Sequence, residues 1–544
     1  MASNLILAGS ALATLIITPN ISYEPFNTPK FLISTVLAFS LLILLLTSIN
    51  LKSFLKTNPM LTSLLLIFII QSLLVLFRSK NTFTLQLFGI DGRNTGLILY
   101  INLLVVLLAT SIVSSKGFIK NLINTLMLCG LLNLLYGVIQ FIGRDPIDWN
   151  NSYNPIIGYF GNPNFQSAFL GIVGASTFAL FFKSKVTLVY RSILFIFLLL
   201  DLFLIIASKS QQGILVFASG FFVSSYLMLL KSKKYFRISK YFGLSIVLSI
   251  TVVVLDIFQK VPWESVLYKP SVSNRGDLWR AAWRMASDNP FTGVGFDSYE
   301  YYYRTYRDEV SIITRGASTT SNSAHNVFLD ILSSGGFILL AIYLGIFILV
   351  ILSAIKVLKR EDEYNIYFVA LFAAWIAYQI QSIISINQIG LALWGWILSG
   401  AIIGYERHTF GALELEVVKN AKSSLMIYTK VVAGAVIGII IGIIPLNTDV
   451  AFRTALDSKQ IKLVQESAYK WPQSPQRMFL VADLFKQNSL FELSAQVARD
   501  ATIKFPRSYE NWELLSTLGS ISNLEKQNAL DKMKELDPLN PNVK

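Results

Sequence analysis

Residues 31–48 read FLISTVLAFSLLILLLTS, a run without a single charge. A bilayer's hydrocarbon core is about 30 Å thick and takes roughly 20 apolar residues of helix to cross. Runs of the same kind recur at Leu61–Phe77, Ser192–Ser208, Gly213–Leu230 and Gly335–Leu352. Composition agrees: of 544 residues 53% are hydrophobic and only 14% charged, with a mean hydropathy of +0.56. A soluble domain carries about 25% charged residues, so most of this chain lacks a water-facing surface. The fold class expected is all-α, a polytopic membrane protein of about 12–13 transmembrane helices.

A net charge of +14 could point to nucleic acid. In a membrane protein excess Lys and Arg instead gather in cytoplasmic loops and set orientation, so no nucleic-acid partner is expected. Cys129 is the one cysteine and lies in an apolar run, which leaves no disulfide framework or thiolate metal site. His325 and His408 are the only histidines, too few for a zinc or di-iron centre, and no metal or cofactor is expected. No basic stretch precedes the first apolar segment, so Leu5–Thr18 reads as a first span and not as a cleaved signal peptide.

Thirteen spans fit the pattern, centred near residues 11, 40, 68, 104, 130, 173, 199, 221, 249, 341, 375, 396 and 437. Alternate loops hold Lys52/Lys56, Lys116/Lys120, Lys183/Lys185/Arg191, Lys231/Lys233/Lys234/Arg237/Lys240, Lys356/Lys359/Arg360 and Arg407/Lys419/Lys422. The opposite short loops hold mainly Arg78, Lys80, Arg93, Arg144 and Lys209, roughly 18 basic residues against 5. That bias places the N-terminus inside and two polar pieces outside. The expected organisation is a transmembrane bundle over 1–258, a large extracytoplasmic loop over 259–325, further spans over 326–446 and an extracytoplasmic helical domain over 447–544. Loops without structure of their own rarely exceed about 15 residues, so the long one is expected to fold and to act.

The last segment repeats itself. Lys470-Trp471-Pro472 with Ser474 recurs as Lys504-Phe505-Pro506 with Ser508, 34 positions on. A 34-residue period is the mark of tetratricopeptide-type helix pairs; the alternative is a generic helical hairpin.

Chemistry-bearing residues concentrate in the loop. In Ser273–Arg284 a helical reading puts Arg275, Trp279 and Trp283 on one face, with Arg280 and Arg284 on the next. Arginine offers a planar fork of donors suited to phosphate oxygens; the alternative is an amphipathic helix resting on lipid headgroups. Asn289-Pro290 leads into Gly293-Val294-Gly295, and then come Tyr299, Tyr301, Tyr302, Tyr303 and Tyr306, an interfacial aromatic belt or a saccharide platform. His325-Asn326 stands where the chain re-enters the membrane, and His325 is suited to act as a general base toward a hydroxyl. Gly89–Gly96, with Arg93, and Gly158–Phe165 are further turns on that side. Asp201 lies within a span and could pair with Lys209.

These residues resemble the O-antigen ligase and polymerase superfamily of membrane glycosyltransferases. The likeness is carried by Arg275…Trp279…Trp283, Asn289-Pro290 with Gly293-Val294-Gly295, Ala324-His325-Asn326…Leu329 with Gly335-Gly336, Gly161–Phe165 and the Arg93…Gly96 turn. It covers about residues 1–410, and many such proteins carry a tetratricopeptide-like tail. The resemblance implies transfer of a glycan from a polyprenyl-diphosphate carrier to a glycan, lipid or protein acceptor at the outer face of the inner (plasma) membrane, without a metal. It implies that His325 activates the acceptor and Arg275 binds the diphosphate. Arg280, Arg284, Arg93, Asn326 and Trp279 are the accompanying candidate substrate-binding residues. Where family members often carry Ser-Arg-Gly, this chain has Ser208-Lys209-Ser210-Gln211-Gln212-Gly213, so Lys209 and Gln212 are the candidates there. Polymerase and protein O-oligosaccharyltransferase share the pattern. A lipid or polysaccharide transporter is the alternative of another class, disfavoured because the sequence shows no paired broken spans; a scaffold whose repeats recruit a protein partner is a third.

Overall fold

The computed structural model describes residues 1–48, 58–149, 154–232, 235–257, 270–360, 365–409 and 424–543. Lys52, Lys56, Lys233, Lys234, Lys419, Lys422 and the start of the long loop lie outside them. In chain order the helices are α1 (Ala2–Leu15), α2 (Asn27–Ser48), α3 (Pro59–Arg78), α4 (Phe83–Phe88), α5 (Leu97–Val113), α6 (Lys116–Phe141), α7 (Pro163–Phe181), α8 (Leu188–Ala207), α9 (Gln211–Lys231) and α10 (Phe236–Ile257). The loop contributes α11 (Pro270–Asp288), α12 (Tyr299–Tyr306) and α13 (Glu309–Arg315). After it come α14 (Val327–Arg360), α15 (Ile366–Ile384), α16 (Ile389–Thr409) and α17 (Ser424–Ser458). The tail is α18 (Ile461–Tyr469), α19 (Pro475–Gln487), α20 (Phe491–Lys504), α21 (Tyr509–Ser516) and α22 (Asn523–Leu536). No strand occurs among the described residues.

Each of the thirteen expected span centres falls in a helix. Ten of the described helices are long and apolar enough to cross a membrane; α1 and α5 are apolar but shorter. The bundle has the inside-out surface of a protein dissolved in lipid. In α16 the whole apolar window is buried (100%), whereas in α17 only 17% is, and α8 presents Leu188, Val189, Ile193, Phe195 and Ile196 outward. Exposed apolar rows of that extent are tolerated where lipid is the solvent. The chain is a multi-pass membrane protein.

Helix α14 joins the loop to the bundle. It enters as residues 327–335, breaks at Gly336 (φ 70°, ψ −171°) and continues as a span. The break strands carbonyls that a straight helix would satisfy, and the Asn289–Gly295 turn takes them up. Val294 N–H donates to Ser333 O at 2.7 Å and Gly295 N–H to Ser334 O at 3.0 Å, while Phe337 N–H donates to Pro290 O at 2.9 Å. Gln71 of α3 adds a bond from Nε2 to Phe291 O at 2.5 Å. The approach is possible only without side chains: a Cβ on Gly293 would lie 2.3 Å from Ser333 O, and one on Gly336 2.4 Å from Pro290 O. The glycines of both segments are thus one joint.

The tyrosines belong to neither an aromatic belt nor an open platform. Tyr299, Tyr301, Tyr302 and Tyr303 are buried with Leu278, Ala281, Ala282 and Met285 as the loop's own core. Tyr299 Oη donates to Leu278 O at 2.8 Å, and Tyr303 Oη bonds Ser311 Oγ at 2.8 Å. Nor does Asp201 pair with Lys209. Its carboxyl is buried without a hydrogen-bond partner, close to Gly174 and Phe217, while Lys209 is exposed.

The tail helices share a core of Val464, Met478, Val481, Phe485, Val497 and Leu515 and dock on the loop. Asp537, fully buried, accepts from Arg307 at 2.7 Å and Arg304 at 3.2 Å, and Arg477 reaches Asp91 at 2.6 Å. Ser474 caps α19 and Ser508 precedes α21, so the 34-residue repeat marks corresponding helix starts.

Gly336→Ala should lower unfolding stability by about 1–3 kcal/mol, the cost of a strained backbone. Gly519→Ala, with no atom within 4 Å of the added methyl, should be neutral. Thermal unfolding in detergent compares them; equal behaviour of the two would remove the joint's claimed constraint.

Candidate active site

Four segments meet at the head of α14. Gly89–Gly96 is a turn closed by Asp297, whose Oδ2 accepts from Ile90 N at 2.8 Å and Thr95 Oγ1 at 2.8 Å. Arg93 leaves this turn and donates from Nη1 to Asn322 O at 2.6 Å, with Nη2 3.7 Å from Asp297 Oδ1. The second segment is Asn322–Asn326. Asp330 Oδ1 accepts from Ala324 N at 2.7 Å, and Ser323 Oγ accepts from His325 N at 3.1 Å. His325 itself has a left-handed backbone (φ 51°), as do Asn94 (φ 52°) and Asp297 (φ 50°). Non-glycine residues in that region are uncommon and gather at functional sites.

The third and fourth contributions are Arg275 of α11 and Arg315 of α13. Burial and the positive charges of Arg275, Arg93 and Arg315 push the His325 imidazole down to about 4. It is therefore neutral at physiological pH and able to accept a proton. Burial also lowers the Arg275 guanidinium from its ordinary value, and Arg275 pairs with no carboxylate among the described residues. Arg315 donates to Tyr303 Oη at 3.0 Å. Three guanidiniums around one neutral histidine make a field that favours an anion.

The other expected site residues are placed differently. Arg280 is braced by Asp308 at 2.8 Å and by Asp277, and Arg284 reaches Tyr306 O at 3.2 Å and Asp308 at 3.8 Å. Both are about half exposed and hold α11 against the α12–α13 connection. Asn326 caps α14, its Oδ1 accepting from Phe328 N at 3.0 Å and Leu329 N at 3.2 Å. Trp279 packs on the loop core with its indole N–H unpartnered, and Trp283, 55% exposed, stacks edgewise on Phe337. Lys209 has a left-handed backbone and Gln212 a buried Nε2 without a partner, at the start of α9. That turn is tied to α7 through Ser210 Oγ and Asn164 Oδ1 at 2.8 Å, and no described contact joins it to His325.

A small, partly open cavity lies among Arg93, Asp297, Tyr299, Asn322, Asp330 and Asn387. Sequence reasoning passed over Arg315, Asp297, Asp330 and Asn387. A second small cavity lies in the bundle among Tyr343, Phe347, Trp375 and Trp396. Its lining carries no charge, whereas the first is lined by Arg93, Asp297 and Asp330.

Fold and site together describe a multi-pass membrane protein whose helical loop brings His325 under the charges of Arg275, Arg93 and Arg315, next to a polar cavity lined by Arg93, Asp297 and Asp330. Residues 193–344 match the family model described as O-antigen ligase. Proteins of that description are membrane glycosyltransferase-like ligases and polymerases, and the match over this segment supports an enzyme of that general kind. The matched segment contains Lys209, Arg275, Arg315 and His325, while Arg93 and the tail lie outside it. No curated protein matches the chain.

Arg275→Ala should raise the His325 titration midpoint from about 4 toward the ordinary 6.5. With only two histidines in the chain, ring resonances of isotope-labelled protein in micelles can follow it. A midpoint already near 6.5 in the wild type would refute the electrostatic reading.

Proposed function

We propose that the protein transfers a glycan from a polyprenyl-diphosphate carrier to a hydroxyl-bearing acceptor, with no cofactor, on the outer face of the inner membrane. The acceptor oxygen attacks the anomeric carbon, and its bond to the sugar forms as the bond from sugar to diphosphate breaks. The electron pair leaves with the diphosphate, and the hydroxyl proton passes to His325. Arg275, with Arg315, meets the charge that grows on the leaving group, where positive charge is worth most.

What supports this reading is that burial, together with the charges of Arg275, Arg93 and Arg315, holds the His325 imidazole down to about 4 on a turn whose backbone is fixed by Asp330 and Ser323. In the empty pocket the arginines hold its basicity low. A bound diphosphate neutralises their charge, so the imidazole becomes a stronger base when donor and acceptor are both present. General-base help of this kind is worth about 10²–10⁴-fold in rate. Docking of the tail on the loop through Asp537 and Asp91 supports a tetratricopeptide-like module that orders the site or recruits a protein partner beside it.

His325→Ala and Arg275→Ala should each cut transfer at least about 100-fold in proteoliposomes supplied with a polyprenyl-diphosphate glycan, at unchanged protein level. Wild-type-like turnover by either variant would sink the mechanism. For orientation, Ser318→Cys and Ser489→Cys, both at exposed positions in a chain whose own Cys129 is buried, should react with an impermeant thiol reagent from the outer side. Labelling only from the cytoplasmic side reverses the topology.

A further inference from the structure

The cavity beneath the His325 turn holds a feature that the transfer mechanism does not use. Three polar atoms from three of its lining residues are buried and make no hydrogen bond: Arg93 Nε, Asp330 Oδ2 and Asn387 Nδ2. They come from the Gly89–Gly96 turn, the head of α14 and the connection between α15 and α16. Asn387 is only 6% exposed, and its Nδ2 lies near the Tyr100 hydroxyl but outside hydrogen-bonding geometry. Buried polar groups are rarely left unpaired, and several facing one cavity mark a place where a ligand completes them.

The set mixes donors with an acceptor, and that decides the chemical class. A phosphate would suit Arg93 and Asn387 but would sit against Asp330 and Asp297. An alkyl chain would leave all three atoms unpaired. Sugar hydroxyls both donate and accept, so vicinal hydroxyls of one ring can serve the whole set. Tyr100 also lines the cavity, and an aromatic ring suits the apolar face of a sugar.

We propose that this cavity is a sugar subsite that receives the hydroxyl-bearing edge of one monosaccharide unit through its open side, with Arg93 and Asn387 donating to hydroxyl oxygens and Asp330 accepting from a hydroxyl. The proposal rests on the glycosyl-transfer reading and adds the binding residues. The same groups place the sugar beside the reacting centre. Asp330 Oδ1 holds Ala324 N–H, and Arg93 holds Asn322 O, so the subsite is built on the turn that presents His325. The sugar could belong to the acceptor or to the carrier-linked donor.

The test uses the full chain in detergent micelles and tracks thermal unfolding with three probes. These are a panel of free neutral oligosaccharides, a short-chain polyprenyl-diphosphate-linked glycan, and inorganic diphosphate. A free sugar or the lipid-linked glycan should raise the unfolding temperature of the wild type. Asn387→Ala and Asp330→Asn should weaken that binding at least about tenfold, and the near-isosteric Asp330→Asn carries the test if Asn387→Ala does not fold. Binding of free sugar assigns the subsite to the acceptor; binding of only the lipid-linked glycan, dependent on Asn387, assigns it to the donor. Both outcomes support the proposal. Stabilisation by no sugar probe, or stabilisation that survives both substitutions, overturns it. Stabilisation by inorganic diphosphate reports the arginine pocket separately, so loss of the subsite is distinguishable from failure of the transfer reading.

Discussion

Everything at the site depends on one exchange of backbone hydrogen bonds. Where α14 breaks at Gly336, Val294 and Gly295 take the carbonyls of Ser333 and Ser334, and Phe337 takes that of Pro290. A broken helix at membrane depth is costly unless its freed groups find protein partners. Here they find them in the loop, so the loop is bonded into the bundle and does not merely rest upon it. The residues either side of the joint are those that matter. Helix α11 with Arg275 precedes the Asn289–Gly295 turn, Asp297 and the buried tyrosines come after it, and His325 stands at the entrance of α14 ahead of the Gly336 break.

From that joint the electrostatics follow. Asp297 closes the Arg93 turn, Asp330 fixes the backbone ahead of His325, and Asp308 occupies Arg280 and Arg284. The arginines of the loop are thereby sorted into two kinds. Some are spent on carboxylates and hold the architecture, such as Arg304 and Arg307 on Asp537. Arg275 and Arg315 form no ion pair with a carboxylate among the described residues, and their charges act on the imidazole. Charge density alone would not have separated the two groups.

Much of the fold was legible in the amino-acid sequence, because apolar runs of fixed length have one reading in a bilayer. The glycine pairs at 293/295 and 335/336 were legible as places of close backbone approach, but not as the two halves of one contact. Arg275 and His325 stood out by type and position. Arg280, Arg284 and Asn326 stood out for the same reasons, yet their chemistry is absorbed by Asp308 and by the cap of α14. Helical periodicity shows which residues share a face; it does not show that the partner of Arg280 waits 28 residues on. The tyrosines misled for a related reason, since a short amphipathic helix facing a protein core looks the same as one facing an interface. Asp330 and Asn387 left only faint signals, an acidic residue just after a histidine and a polar pair between spans, because their importance arises from distant segments meeting.

The central claim is that the arginines around His325 receive a diphosphate and that this charge controls the imidazole. The measurement that tests it most directly is the His325 titration in full-length protein with and without bound diphosphate, monitored by magnetic resonance of the histidine ring. The account predicts a midpoint near 4 in the free protein that moves upward when diphosphate binds. A midpoint that ignores saturating diphosphate would contradict it.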